Sequence, residues 1–125
     1  MIGRNVSIYV SVTPLDMRRS FDGLAAAARE TLRQDPESGA LFVFANKRGH
    51  RVKILWWDRT GYCLLQKRLE WEAFRLPRAL DANAPSVAID VVELAKILEG
   101  VKLPPKKHRM RKQAEESDSM FSLPR

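Results

Sequence analysis

Apolar and polar residues alternate from Val6 to Val12, with Val6, Ile8, Val10 and Val12 set against Ser7, Tyr9 and Ser11. A period of two places the apolar set on one side of a strand, so this stretch reads as half-buried β structure. Thr13-Pro14 closes it, because proline fixes φ and lacks an amide donor. From Ser20 the period lengthens. Phe21, Leu24, Ala25, Ala28 and Leu32 recur at spacings near three and four, which predicts a helix to about Arg33 capped by Ser20 or Asp22. Asp35-Pro36-Glu37-Ser38-Gly39 has the composition of a turn.

Three short apolar runs follow: Leu41 to Ala45, Arg51 to Trp57, and Tyr62 to Leu69. The connections, Asn46-Lys47-Arg48-Gly49-His50 and Asp58-Arg59-Thr60-Gly61, are short and contain glycine, so the three runs predict an antiparallel meander. Glu70 to Leu76 fits helix or strand, and Pro77 ends it. Val87 to Ile89 suits one more strand. Asp90 stands at an N-cap position ahead of Val91, Leu94, Ala95 and Leu98, and Gly100 at a C′ position, so a final helix is expected over about 90–99. The expected fold is a single α+β domain over residues 1–100. It has an antiparallel sheet of about four to five strands, the 20–33 helix on one face and the 90–99 helix near an edge. A basic, flexible tail is expected over 101–125.

The charge changes this picture more than the composition does. Of the net +7 on 125 residues, +3 falls on residues 1–100 (15 basic, 12 acidic) and +4 on residues 101–125 (7 basic, 3 acidic). Six of the eleven residues from Lys102 to Lys112 are basic. Such a segment gives salt-sensitive, sequence-independent affinity for a polyanion, and equally serves as a solubilising tail. The lone cysteine, Cys63, forbids an internal disulfide and a Cys-rich zinc site. No run of about 20 apolar residues is present, so no membrane segment is expected. The expectation is a cytoplasmic protein.

Candidate chemistry concentrates in basic and aromatic clusters. Lys47, Arg48, Arg51 and Lys53 mark a cationic turn and strand. Arg51 and Lys53 share one strand face, opposite Val52 and Ile54. Guanidinium forks suit phosphate oxygens, and the competing reading is a solvated face. Trp56 and Trp57 point to opposite faces of their strand. One ring could stack on a base or a partner, unless both faces are covered and both rings are structural. Arg18 and Arg19, near a helix start, suit a phosphate or a partner. Capping and local pairing account for Asp16 and Asp22. Lys67 could extend the basic surface, and Lys106, Lys107, Arg109, Arg111 and Lys112 would extend it along the tail. His50 and His108 stand beside no nucleophile motif, and no phosphate-binding loop or zinc signature occurs. No catalytic residue, metal site or cofactor is expected.

The blocks Asp16-Met17-Arg18-Arg19-Ser20-Phe21-Asp22-Gly23-Leu24, Leu41-Phe42-Val43-Phe44, Lys53-Ile54-Leu55-Trp56-Trp57-Asp58-Arg59-Thr60-Gly61 and Lys67-Arg68-Leu69-Glu70 occur in this order. Together they resemble the accessory protein (TnpB type, second reading frame) of insertion-sequence family sixty-six, over about residues 5 to 100. Ser20 stands where that family often has glycine, and the tail beyond Leu103 is longer than the family leads one to expect. The resemblance implies a bacterial mobile element and a role in transposition beside a separate DDE-type transposase. It supplies no catalytic residues. The expectation is a non-catalytic accessory factor for DNA recombination that binds element DNA or the transposase–DNA complex, nucleoid-associated when bound. The alternative is an adaptor that docks the transposase without touching DNA.

Overall fold

A computed structural model describes residues 5–79 and 81–102, apart from the side chains of residues 101 and 102. The tail residues Lys106, Lys107, Arg109, Arg111 and Lys112 lie outside the described residues, as does the flexibility expected of the tail beyond residue 102. Strand β1 (Ile8–Ser11) leads through helix α1 (Phe21–Glu30) to β2 (Leu41–Ala45), β3 (Arg51–Trp57) and β4 (Tyr62–Arg68). The short strand β5 (Glu72–Ala73) follows, then β6 (Ser86–Ile89), helix α2 (Val91–Glu99) and β7 (Val101–Lys102). Five strands form one sheet in the order β4-β3-β2-β1-β6, and β5 pairs with β7 apart from it.

The meander β2-β3-β4 is antiparallel, and so is the β1–β6 pair. The β1–β2 pair is parallel, which corrects the expectation of a wholly antiparallel sheet. Its cause is the intervening helix. A strand–helix–strand passage returns the chain to the same end of the sheet, so consecutive strands point the same way. α1 is also shorter than expected. It ends at Glu30, and Arg33 adopts a left-handed φ of 58°.

The core has two layers, one on each side of the sheet. β2 shows why: all five of its residues are buried, the pattern of a strand covered on both faces. Phe42 and Phe44 pack with Leu55 against Leu24, Ala25, Ala27, Ala28 and Leu32 of the α1 region. Leu41, Val43 and Ala45 pack with Ile8, Val10, Val52 and Ile54 against Leu69, Phe74, and Leu94 and Ile97 of α2. α2 therefore belongs to the second core layer and does not merely flank an edge. Phe21 has the right azimuth for the buried face of α1, but it is the helix's first residue and stays 43% exposed. Ala27 is buried in addition.

Both helix starts are at the expected places, with different chemistry. Asp90 Oδ1 accepts from the Glu93 amide at 2.8 Å, a full N-cap bond. Ser20 occupies the N-cap of α1 without a side-chain bond. Among the described residues no helix is long and apolar enough to cross a membrane.

Candidate nucleic-acid interface

The turn between β2 and β3 is fixed from within and from outside. The Arg51 amide donates to Asn46 Oδ1 at 3.0 Å, and the Gly49 amide donates to the Asn46 carbonyl at 3.0 Å. With its oxygen so engaged, the Asn46 side-chain nitrogen faces His50 Nδ1 at 3.0 Å. That nitrogen must therefore accept, which puts the imidazole proton on Nε2. From outside, the Leu69 amide donates to the His50 carbonyl and the Phe74 amide to the Gly49 carbonyl, both at 2.8 Å. Lys47 and Arg48 stand exposed at the tip of this anchored turn.

A second segment, Leu15 to Arg19, is pinned beside it. The Leu15 amide donates to the Ala45 carbonyl at 2.9 Å. The Lys53 ammonium donates to the carbonyls of Met17 and Arg19, both at 2.7 Å. Asp16 takes the Arg18 guanidinium at 2.7 Å and also accepts from the Arg18 amide. The side-chain and backbone bonds from Arg18 hold the Asp16 carboxyl down to about 2. Arg19 lays its stem over α1, where a Cβ on Gly23 would lie 3.1 Å from Arg19 Cβ.

Two adjoining grooves lie between these segments, sharing Met17 and Arg51. One, of about 440 Å³, is lined by Met17, Arg51, Lys53, Gln66, Arg68 and Glu70, and by Val52 and Lys67 where β3 and β4 pass beneath it. The other, of about 420 Å³, runs past Asp16, Met17, Lys47, Arg48 and His50. Desolvation, then the fields of Arg48, Arg51 and Arg68, push the His50 imidazole below its ordinary value. The only carboxylates within 4.0 Å of a cationic group among the described residues are Asp16 on Arg18 and Glu70 on Arg68. Lys47, Arg48 and Arg51 thus remain without a carboxylate partner there.

The expected site residues divide accordingly. Lys47, Arg48 and Arg51 come together on one surface. Arg18 is exposed nearby but carries its own counter-charge. Lys53 lies beneath the surface at 8% exposure, with two of its three protons committed to carbonyls. The reading of Lys53 as a surface contact is therefore corrected: its stem follows Arg51's face, but Met17 and Arg19 close over it. Lys67 faces the other way, because it pairs with Val52 across the ladder. Its ammonium donates to the Leu98 carbonyl at 2.7 Å, at the C-terminal end of α2. The residue on the grooved face is its neighbour Arg68, directly opposite Arg51. Strand alternation was the signal for this exchange, but it can be used only once the register is known.

The tryptophans sit away from the grooves. Trp56 packs on the α2 side of the sheet, and its buried Nε1 has no hydrogen-bond partner among the described residues. Trp57 is half-buried and meets the Tyr62 ring edge-on at 5.0 Å. It stands six residues from Arg51, about 20 Å along an extended strand. Among the described residues no group of three or more His, Cys, Asp or Glu side chains could hold a metal ion.

The family model described as "IS66 Orf2 like protein" matches residues 6–108. The "Uncharacterized protein y4hO" of Sinorhizobium fredii is 35% identical over 99 residues, 79% of this chain and 84% of that protein. The "Uncharacterized protein y4jC" of the same organism is 40% identical over 83 residues, 65% of this chain and 71% of its own length. No solved structure matches the chain.

Proposed function

The chain belongs to the IS66 Orf2-like family of insertion-sequence accessory proteins, and we propose that its part in transposition is to hold the phosphate backbone of element DNA, free or in the transposase complex. The observation that carries this reading is the anchored cationic turn: Lys47, Arg48 and Arg51 share one surface without carboxylate partners among the described residues. Backbone hydrogen bonds hold the turn before any ligand arrives, so little ordering cost opposes binding. Contacts of this kind position a protein on DNA without reading sequence. The tail residues Lys106, Lys107, Arg109, Arg111 and Lys112 add sequence-independent attraction to the same polyanion. The role is non-catalytic, and the accessory character of the family supports that assignment.

The test is a salt titration of the purified protein on duplexes from the element ends. Affinity should fall steeply with salt, and the K47A/R48A/R51A variant should bind weakly, with each lost phosphate contact taking about 1 off the log–log slope. Failure to bind at low salt, together with capture of the transposase, would instead make the protein an adaptor that never touches DNA.

A further inference from the structure

Arg51 and Arg68 are directly opposed across the β3–β4 ladder, on the grooved face. Like charges in that position repel, and sheets ordinarily avoid them. An anion between the two strands removes the repulsion. Glu70 is the only carboxylate lining this groove among the described residues. It touches Arg68 once, from Oε2 to Nε at 3.0 Å. The terminal nitrogens of Arg68 meet no carboxylate there, and Arg51 meets none. The pair is open to water on both sides, with side chains 57% and 62% exposed. Such a contact is weak and readily exchanged.

We propose that Arg51 and Arg68 form a seat for one backbone phosphate of DNA, with Glu70 occupying Arg68 as an internal stand-in that the phosphate displaces. This rests on the DNA reading above and adds two residues to it, one attractive and one competing. A phosphodiester offers two anionic oxygens to two forks facing each other, whereas Glu70 reaches one fork through one bond. Glu70 therefore lowers affinity for any phosphate and sets a threshold that weak, non-phosphate anions fail to cross.

The experiment is a double-mutant cycle on the full chain, with a fluorescent element-end duplex titrated at several salt concentrations. Glu70→Gln should tighten binding about two- to fivefold, the range an exposed ion pair permits. Glu30→Gln, at the exposed end of α1, makes the same charge change away from the groove and should do less. In an Arg68→Gln background the Glu70→Gln gain should vanish, because no fork remains to be released. Circular dichroism melts of each variant check that the sheet is intact, and both side chains are exposed enough for the substitutions to be tolerated. An equal gain from Glu30→Gln, a gain that survives Arg68→Gln, or no gain at all overturns the stand-in while leaving DNA binding in place. Absence of wild-type binding at low salt overturns both readings together.

Discussion

The Lys53 ammonium reaches the Met17 and Arg19 carbonyls at 2.7 Å from a nearly enclosed position on β3. Lys53→Met keeps the stem and removes both bonds, leaving two carbonyls short of a donor. It should cost about 1–3 kcal/mol, read as a lower urea midpoint at unchanged slope. Arg51→Met should do the reverse, staying within about 0.5 kcal/mol of wild-type stability while weakening DNA binding. The sequence offered two equivalent cations on one strand face. It could not show that residues 34 and 36 positions earlier close over one of them, because that is a long-range contact with no local pattern. His50 makes a second prediction at this scale. Burial and three arginines disfavour its charged form, so its folded value lies below the ordinary 6.5. Above 6.5 its contribution to stability is fully present. As the pH falls through this value the unfolded chain takes up the proton before the folded one, and stability drops until the folded ring also titrates. Asp16, held to about 2, titrates well below that window. The unfolding free energy should therefore decline as the pH falls below the ordinary 6.5, and His50→Gln should flatten that decline.

Among the elements, α2 was the most legible, because both of its ends are written in local residues. Asp90 caps the start through the Glu93 amide. Gly100 ends it at φ 78°, ψ 174°, a region open essentially to glycine alone. A Cβ there would also sit 2.6 Å from Leu69 Cδ1. Asp90→Ala should cost about 1 kcal/mol. Gly100→Ala should cost about 1–3 kcal/mol from the backbone alone, and more once Leu69 has to move. The two sites lie at opposite ends of a nine-residue helix, about 14 Å apart, so their losses should add in a urea double-mutant series. The meander was equally readable from its glycine-bearing turns. The parallel β1–β2 pair was not read, although a helix between two strands was the available signal. β4 marks the limit most clearly. Its composition, Lys67 and Arg68 side by side, was plain, but which of the two joins Arg51 depends on pairing with β3, and a slip of one residue would exchange them.

At the scale of the whole molecule, the question is how the net charge of +7 is shared between a folded surface and a chain segment. Composition located the excess after residue 100 but said nothing about the body, where 15 basic residues nearly balance 12 acidic ones. The fold gives the small excess in the body its direction. It sets Lys47, Arg48 and Arg51 along one groove with His50, places Arg68 across the ladder from Arg51, spends Lys53 and Lys67 on backbone carbonyls, and pairs Arg18 with Asp16. Two variants of the full chain separate the contributions. Replacing Lys106, Lys107, Arg109, Arg111 and Lys112 with glutamine takes the formal charge from +7 to +2 (7 − 5 = 2). The K47A/R48A/R51A variant removes three charges from the anchored turn. Each phosphate neutralised contributes about 0.9 to the slope of log affinity against log salt, so the turn variant should lower that slope by about 3 and the tail variant by up to about 4–5. If turn and tail hold separate phosphates, the losses add when the variants are combined. A tail variant that abolishes the salt dependence by itself would mean that the folded surface never meets DNA, and the anchored turn would then be a surface for protein.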